Sequence, residues 1–226
     1  MKCSSLFTFV LCALLVQGSI ISKPNAGHFN KVKSPRAEVK EQASVHYKID
    51  AEQSKFMARA FSGGPLWFKG HDHFVAIRDI NGDAQLTPGS ISPASLQMTV
   101  RADSLMETRD VFTEQQKQII NRELREIVLE TAKYPEITFK STEVAIKPIT
   151  GGQFQAKVGG NLMLHGITRH ITIPTQVTMS GDALRARGEF TVHRSDYNVK
   201  ATSAFHGLVR VRDKIKFTFD ILAHPV

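Results

Sequence analysis

Apolar and polar positions alternate along much of this chain. Leu162 and Leu164 share one face of an extended segment, and Ile171 and Ile173 share the face of another. Between them, His165-Gly166-Ile167-Thr168-Arg169 is a short polar break whose glycine can take positive φ, which predicts a β-hairpin. The pattern runs on to the C-terminus. Val177 and Met179 alternate with Gln176 and Thr178, and Phe190 and Val192 with Glu189, Thr191 and His193. Ile215, Phe217, Phe219 and Ile221 alternate with Lys216, Thr218 and Asp220. Strands with one apolar and one polar face require a closed antiparallel sheet with an apolar interior.

Upstream the same period holds with more interruptions. The domain opens at Val45-His46-Tyr47-Lys48-Ile49-Asp50, a strand follows over 54–61, and Ser62-Gly63-Gly64-Pro65 breaks the ladder. Residues 73–80 read as a strand. Asn81-Gly82-Asp83 predicts a type I′ turn, whose central positions need the positive φ that Asn-Gly adopts readily. Residues 84–86 return, and Thr87-Pro88-Gly89 turns again. Leu96, Met98 and Val100 alternate with Gln97, Thr99 and Arg101 in a half-buried strand. Then the period changes. Ile119, Ile120, Leu124, Ile127 and Val128 recur at steps of three and four, and Thr113 followed by Gln116 resembles a capping box. The spacing predicts one amphipathic helix over 114–129, with Tyr134-Pro135 barring any continuation. Ile137 and Phe139 resume the period of two, and Gly151-Gly152 and Gly159-Gly160 bracket a short strand over 154–158.

The fold class is therefore all-β: an antiparallel barrel of about eight strands with one inserted amphipathic helix, whose apolar stripe closes one end or packs on the outer wall. Ala58 and Ala60 follow Phe56, and Ala156 follows Phe154. Small residues on inward faces leave room for one slim ligand; the competing reading is a tightly curved, filled barrel.

With 226 residues the chain suits one sizeable β domain, and no Gly/Pro-rich linker divides its second half. Lys2, the apolar run over 6–16 and Val16-Gln17-Gly18 read as a secretory signal peptide over 1–18; the competing reading is a retained anchor. Both cysteines, Cys3 and Cys12, fall inside it, so the exported chain has no thiol and no disulfide. That fits a periplasmic or secreted protein held by its core and its ladders. Residues 19–44 form a polar, basic, disordered leader with Lys23, Lys31, Lys33, Arg36 and Lys40 against Glu38 and Glu41, leaving 45–226 for the barrel. Much of the formal net charge of +8 sits in this leader, which could make transient contact with an anionic membrane surface; the competing reading is a solvated tail. Nucleic acid is a poor partner, because the basic residues are spread out, the leader lacks interleaved aromatics and the chain is exported. The oligomeric state is not legible in the sequence.

Four segments resemble the YceI-like family of exported lipid-binding proteins, in the family's order. They are Tyr47-Lys48-Ile49-Asp50 with Ser54; 133–141, reading KYPEITFKS; 162–169, reading LMLHGITR; and Arg194-Ser195-Asp196-Tyr197-Asn198-Val199. The resemblance spans 47–223. It implies a lipocalin-like barrel whose elongated cavity holds an amphiphile with a polyisoprenoid or fatty tail, and it implies no enzyme activity and no required cofactor. Asn198 stands where the late motif has glycine, and asparagine tolerates the left-handed region. Gly70-His71-Asp72-His73-Phe74 marks a branch of the family, and 118–133 is longer and more helical than the loop of better-known members.

His71-Asp72-His73 is the sharpest local constellation. In an extended segment both histidines face one way and could share a metal, with a third ligand from His165, His170, His193 or His206. The alternative is that they hydrogen-bond the barrel mouth or a phosphate or quinone head group there. Trp67 and Phe68 lie beside the Gly-Gly-Pro break and either flank the entrance or pack in the core. Arg194 and Asp196 share a strand face, as a head-group anchor or as a structural ion pair. Phe139, Phe190, Phe217 and Phe219 line a core or a cavity. Catalysis finds little support: Ser195 and Asp196 beside His193 lie in one predicted strand, where neighbours point to opposite faces and cannot form a triad. The expected function is to hold a polyisoprenoid, an isoprenoid quinone or a fatty chain for transport or storage. The alternatives are a metal-binding barrel and a filled stress or interaction module.

Overall fold

The computed structural model describes residues 44–87, 94–204 and 206–226. The signal peptide, nearly all of the leader and most of the Thr87-Pro88-Gly89 turn lie outside the described residues. The strands are β1 (Val45–Gly63), β2 (His73–Ile77), β3 (Ile80–Leu86), β4 (Ala94–Arg101), β5 (Met106–Glu107), β6 (Glu136–Pro148), β7 (Gln153–Leu164), β8 (Ile167–Ser180), β9 (Ala183–His193), β10 (Ser203–Ala204) and β11 (Val209–Pro225). Helix α1 (Glu114–Glu123) lies between β5 and β6. Strands β1, β3, β4, β6, β7, β8, β9 and β11 pair antiparallel in that order, and β11 returns to β1, closing an eight-stranded barrel. The short strands β2, β5 and β10 extend one end of it.

Register follows from the alternation. Phe217 pairs with Phe190 and Phe219 with Gly188 across β11 and β9, so the apolar faces of both strands turn inward together. On the outside of the same ladder Arg185 and Arg187 both bond Asp220, at 2.6, 2.7 and 3.1 Å, and Lys216 meets Glu189 at 2.7 Å. The bond from Arg185 is the main reason the Asp220 carboxyl is held below the usual carboxylate range.

Strand β1 spans the whole barrel because it carries a bulge. Asp50 pairs with Leu222 but Lys55 with Asp220, so β1 holds extra residues there. Asp50 pins them by accepting from the backbone N–H groups of Glu52 and Gln53 at 3.1 and 3.0 Å. Ser54 Oγ accepts from the Leu222 N–H at 3.0 Å.

Three turn and break expectations change. Asn81-Gly82-Asp83 does not turn but continues β3, and the expected strand over 73–80 stops at Ile77. Gly82 is needed for space: a Cβ there would sit 2.7 Å from Ile49 Cδ1 and 2.8 Å from the Gln97 carbonyl. Gly159-Gly160 likewise lies inside β7. A Cβ on Gly160 would meet the Phe139 ring at 2.6 Å, so the glycine makes room for the aromatic. The expected β7–β8 hairpin is present but tighter than the polar break over 165–169: it turns on His165 (φ 52°) and Gly166 (φ 75°) alone, and Ile167, Thr168 and Arg169 already pair in β8.

The helix starts as its sequence predicts. Thr113 Oγ1 accepts from the Gln116 N–H and Gln116 Oε1 from the Thr113 N–H, a complete capping box. The α-helix is shorter than 114–129: after Glu123 the chain widens into a π-turn over Leu124–Val128.

Candidate functional site

The inward faces do not meet. They enclose a cavity of about 560 Å³, walled by the alternating apolar residues of all eight barrel strands. Phe139, Phe190, Phe217 and Phe219 all line it. Phe190 stacks on Phe217 with centroids 5.0 Å apart, and Phe56 meets Phe217 and Phe219 edge-on at 6.1 and 6.0 Å. Ala58, Ala60 and Ala156 also line it, so the small inward residues leave space, as one reading of the sequence expects.

The two ends differ. Where the chain enters at Val45 and leaves at Pro225, a second apolar cluster of Tyr47, Leu184 and Ala223 is buried in the wall. The other end carries α1, the β7–β8 hairpin and the loops after β1 and β9. Ile120, Leu124 and Val128 line the cavity there, so the helical stripe lines one side of that end rather than packing on the outer wall. The wall at this end reaches exposed side chains, namely Lys69, His71, Lys200 and Arg210. Among the described residues its charged lining is Lys69, Arg194, Lys200 and Arg210 against the single carboxylate Glu123. This basic mouth on an apolar tunnel is the candidate site.

His71 and His73 both reach the mouth, and the Phe112 ring lies against each, stacked on His73 at 5.3 Å and edge-on to His71 at 5.8 Å. His73 Nδ1 lies 2.8 Å from Glu107 Oε2. The Glu107 side chain is fully buried and also accepts from the backbone N–H groups of Phe74, Thr108 and Arg109, at 3.2, 3.0 and 2.8 Å. Burial pushes its carboxyl up, but these bonds outweigh burial and hold it below the ordinary range. Glu107 N–H in turn donates to Asn121 Oδ1 at 2.7 Å, tying the mouth to α1. Asp72 turns outward, taking Arg59 at 2.7 Å and the Ser62 N–H at 2.9 Å.

The other histidines do not join this pair. His165 bonds Glu130 at 2.8 Å, His193 bonds Asp213 at 3.0 Å, His170 lies 3.4 Å from Thr142 Oγ1, and His206 is exposed. Among the described residues no group of three or more histidines, cysteines or carboxylates could hold a metal ion.

Arg194 lines the cavity, but not from a strand and not paired with Asp196. It opens a 3₁₀ turn, Arg194–Tyr197, that Asn198 ends in the left-handed region (φ 53°), so the asparagine does the glycine's work. One guanidinium N–H donates to the Val199 carbonyl at 3.0 Å, while buried Nε has no partner among the described residues. Such an unmatched donor is costly unless something accepts from it.

Trp67 and Phe68 are neither core nor cavity wall. They sit on a 3₁₀ turn, 54% and 63% exposed, immediately before mouth residues Lys69, Gly70 and His71. The sequence reading missed Glu107, Asn121 and Phe112. Asn121 left a signal, a polar residue on the helix's apolar stripe one turn from Leu124. Glu107 left none, since its partners converge only in the fold.

Comparison with known proteins bears on this geometry. The model of the YceI-like domain matches residues 24–223. The Burkholderia cenocepacia BcnA structure is 22% identical with a TM-score of 0.59, covering 77% of this chain and 98% of its own. A polyisoprenoid binding domain from Saccharophagus degradans, implicated in plant cell wall breakdown, is 15% identical with a TM-score of 0.57, covering 80% of this chain and 99% of its own. The Campylobacter jejuni YCEI protein is 16% identical with a TM-score of 0.52, covering 66% and 83%. At these identities the likeness carries the fold. No curated protein matches the chain.

Proposed function

The chain belongs to the YceI-like domain family, and from that premise we propose that it is a binding protein that holds an amphiphilic lipid, tail in the tunnel and head at the basic mouth. The observation that carries the reading is the cavity itself: a closed barrel whose inward faces leave a space lined mostly by apolar side chains, with its charged residues gathered at one end. A dry tunnel takes a hydrocarbon tail because each buried methylene contributes about 0.8 kcal/mol. A polyisoprenoid, an isoprenoid quinone or a fatty chain meets that requirement, and the polyisoprenoid-binding structure from Saccharophagus degradans supports the first. At the mouth, Arg194 Nε, which has no partner among the described residues, offers a donor to a phosphate, carboxylate or quinone oxygen, and His71 also lines the cavity. His73 is committed to Glu107 and shapes the rim.

We read the role as carriage or storage rather than catalysis, in an exported protein of the periplasm or the extracellular space. Among the described residues no helix is long and apolar enough to cross a membrane. Native mass spectrometry of protein purified from its own envelope tests the reading. The expected result is an additional hydrophobic mass that leaves on denaturation and is recovered by extraction. A bare polypeptide mass that persists after incubation with prenyl and fatty lipids would sink it.

A further inference from the structure

The turn before the mouth presents two large aromatic side chains to water, and the fold fixes them there. Ser62 Oγ donates to the Trp67 carbonyl at 3.2 Å, the Leu66 N–H donates to the Leu208 carbonyl at 2.9 Å, and the Gly70 N–H returns to the Trp67 carbonyl at 3.0 Å. A Cβ on Gly70 would strike Val209 Cγ1 at 2.6 Å, so the turn is packed against the start of β11. The backbone is held, yet Trp67 and Phe68, which lie edge to face with ring centroids 6.4 Å apart, stay 54% and 63% exposed. Leu208, on the segment that clasps this turn, is 43% exposed. Lys69 and Arg210 flank the apolar group, and neither makes an ion pair among the described residues. Asp72, three residues from Lys69, is taken by Arg59, and Asp213, three residues from Arg210, is taken by His193 and Ser195.

An outward-fixed tryptophan and phenylalanine beside unpaired cations matches the water–lipid boundary. Aromatic rings settle at head-group depth there, and lysine and arginine meet anionic phosphates. We propose that this face, Trp67, Phe68 and Leu208 with Lys69 and Arg210, docks the barrel mouth onto an anionic lipid bilayer. The tunnel then opens onto the membrane, and a tail passes between bilayer and barrel without crossing water. This step rests on the lipid-binding reading and extends it: Trp67, Phe68 and Leu208 are surface residues which that reading does not use, while Lys69 and Arg210 also line the mouth.

Trp67 is the only tryptophan in the chain, so its emission reports on this face alone. The test uses the full exported chain with vesicles of phosphatidylcholine, with and without about one third phosphatidylglycerol. The expected result is a blue shift and quenching by brominated lipid with the anionic vesicles, reversed by high salt. Phe68→Ser should weaken vesicle binding about tenfold, the loss of one buried aromatic side chain. Lys69→Glu with Arg210→Glu should abolish the preference for anionic vesicles. Each protein is also given a fluorescent fatty acid from cyclodextrin, without vesicles. Retained probe binding by Phe68→Ser shows that the barrel is folded and the loss is one of docking. Unchanged Trp67 emission in wild type that still binds the probe overturns docking and leaves the carrier reading standing. Vesicle binding without probe binding supports docking and removes the carrier reading. A Trp67 emission already blue-shifted without lipid, and reversed by dilution, would assign the face to a second copy of the chain and overturn the proposal.

Discussion

Glu107 shows how a single residue organises the mouth. Its carboxylate is buried, yet four donors converge on it, and its own N–H reaches the helix through Asn121. Although burial raises it, the bonds from His73, Arg109 and Phe74 leave its carboxyl below the usual carboxylate range. A carboxylate whose folded value is depressed stabilises the fold above its unfolded value, and the contribution is lost as pH falls through the folded value. Glu107→Gln keeps the shape but faces an amide nitrogen toward N–H donors that need an acceptor. It should cost about 1–3 kcal/mol at neutral pH, the penalty for unmet buried donors. The deficit should shrink in acid, below the ordinary carboxylate range, where the wild-type side chain is protonated too. Urea unfolding of both proteins at neutral pH and in acid measures this, and a deficit of constant size would refute the account.

The helical segment is the most separable element. It lines one side of the mouth with Ile120, Leu124 and Val128, while Ile119 and Ile127 stay 43% and 47% exposed. Its attachment is therefore one-sided, and it depends on its cap. Thr113→Ala removes the acceptor for Gln116 N–H and should cost about 1 kcal/mol. Hydrogen exchange over 114–128 should then quicken about fivefold while the amides of β6 to β9 keep their protection. Equal acceleration in the barrel would mean that helix and barrel open as one unit. The cap was legible in the sequence because its signal is local: a hydroxyl, a spacing of three and an apolar run. The alternation of β4, β8, β9 and β11 was legible for the same reason. Asn81-Gly82-Asp83 and Gly159-Gly160 were not, because glycine serves turns and close packing alike. Only the fold shows Ile49 over Gly82 and Phe139 over Gly160. Trp67 and Phe68 belong to the same class, since a short apolar run does not say whether anything covers it.

At the scale of the molecule, the open question is one of volume. Eight strands enclose an interior that side chains can just fill, so whether a barrel is packed or hollow depends on the sizes of its inward residues. Here phenylalanines gather on β1, β9 and β11, while Ala156 on β7 lines the cavity between Ile146 of β6 and Thr175 of β8. That asymmetry leaves the void and gives a test that separates a tunnel from a core. In a packed interior Ala156→Phe would be overpacking and would cost about 1–3 kcal/mol. In a hollow one the new ring enters empty space, so stability should stay within about 1 kcal/mol of wild type or rise as apolar contacts form. Binding of a fluorescent fatty acid should fall sharply at the same time, because the ring occupies the path of the tail. Unchanged stability with lost binding is the signature of a tunnel that works by being empty. Destabilisation with no effect on binding would place any lipid elsewhere and make the barrel interior a core.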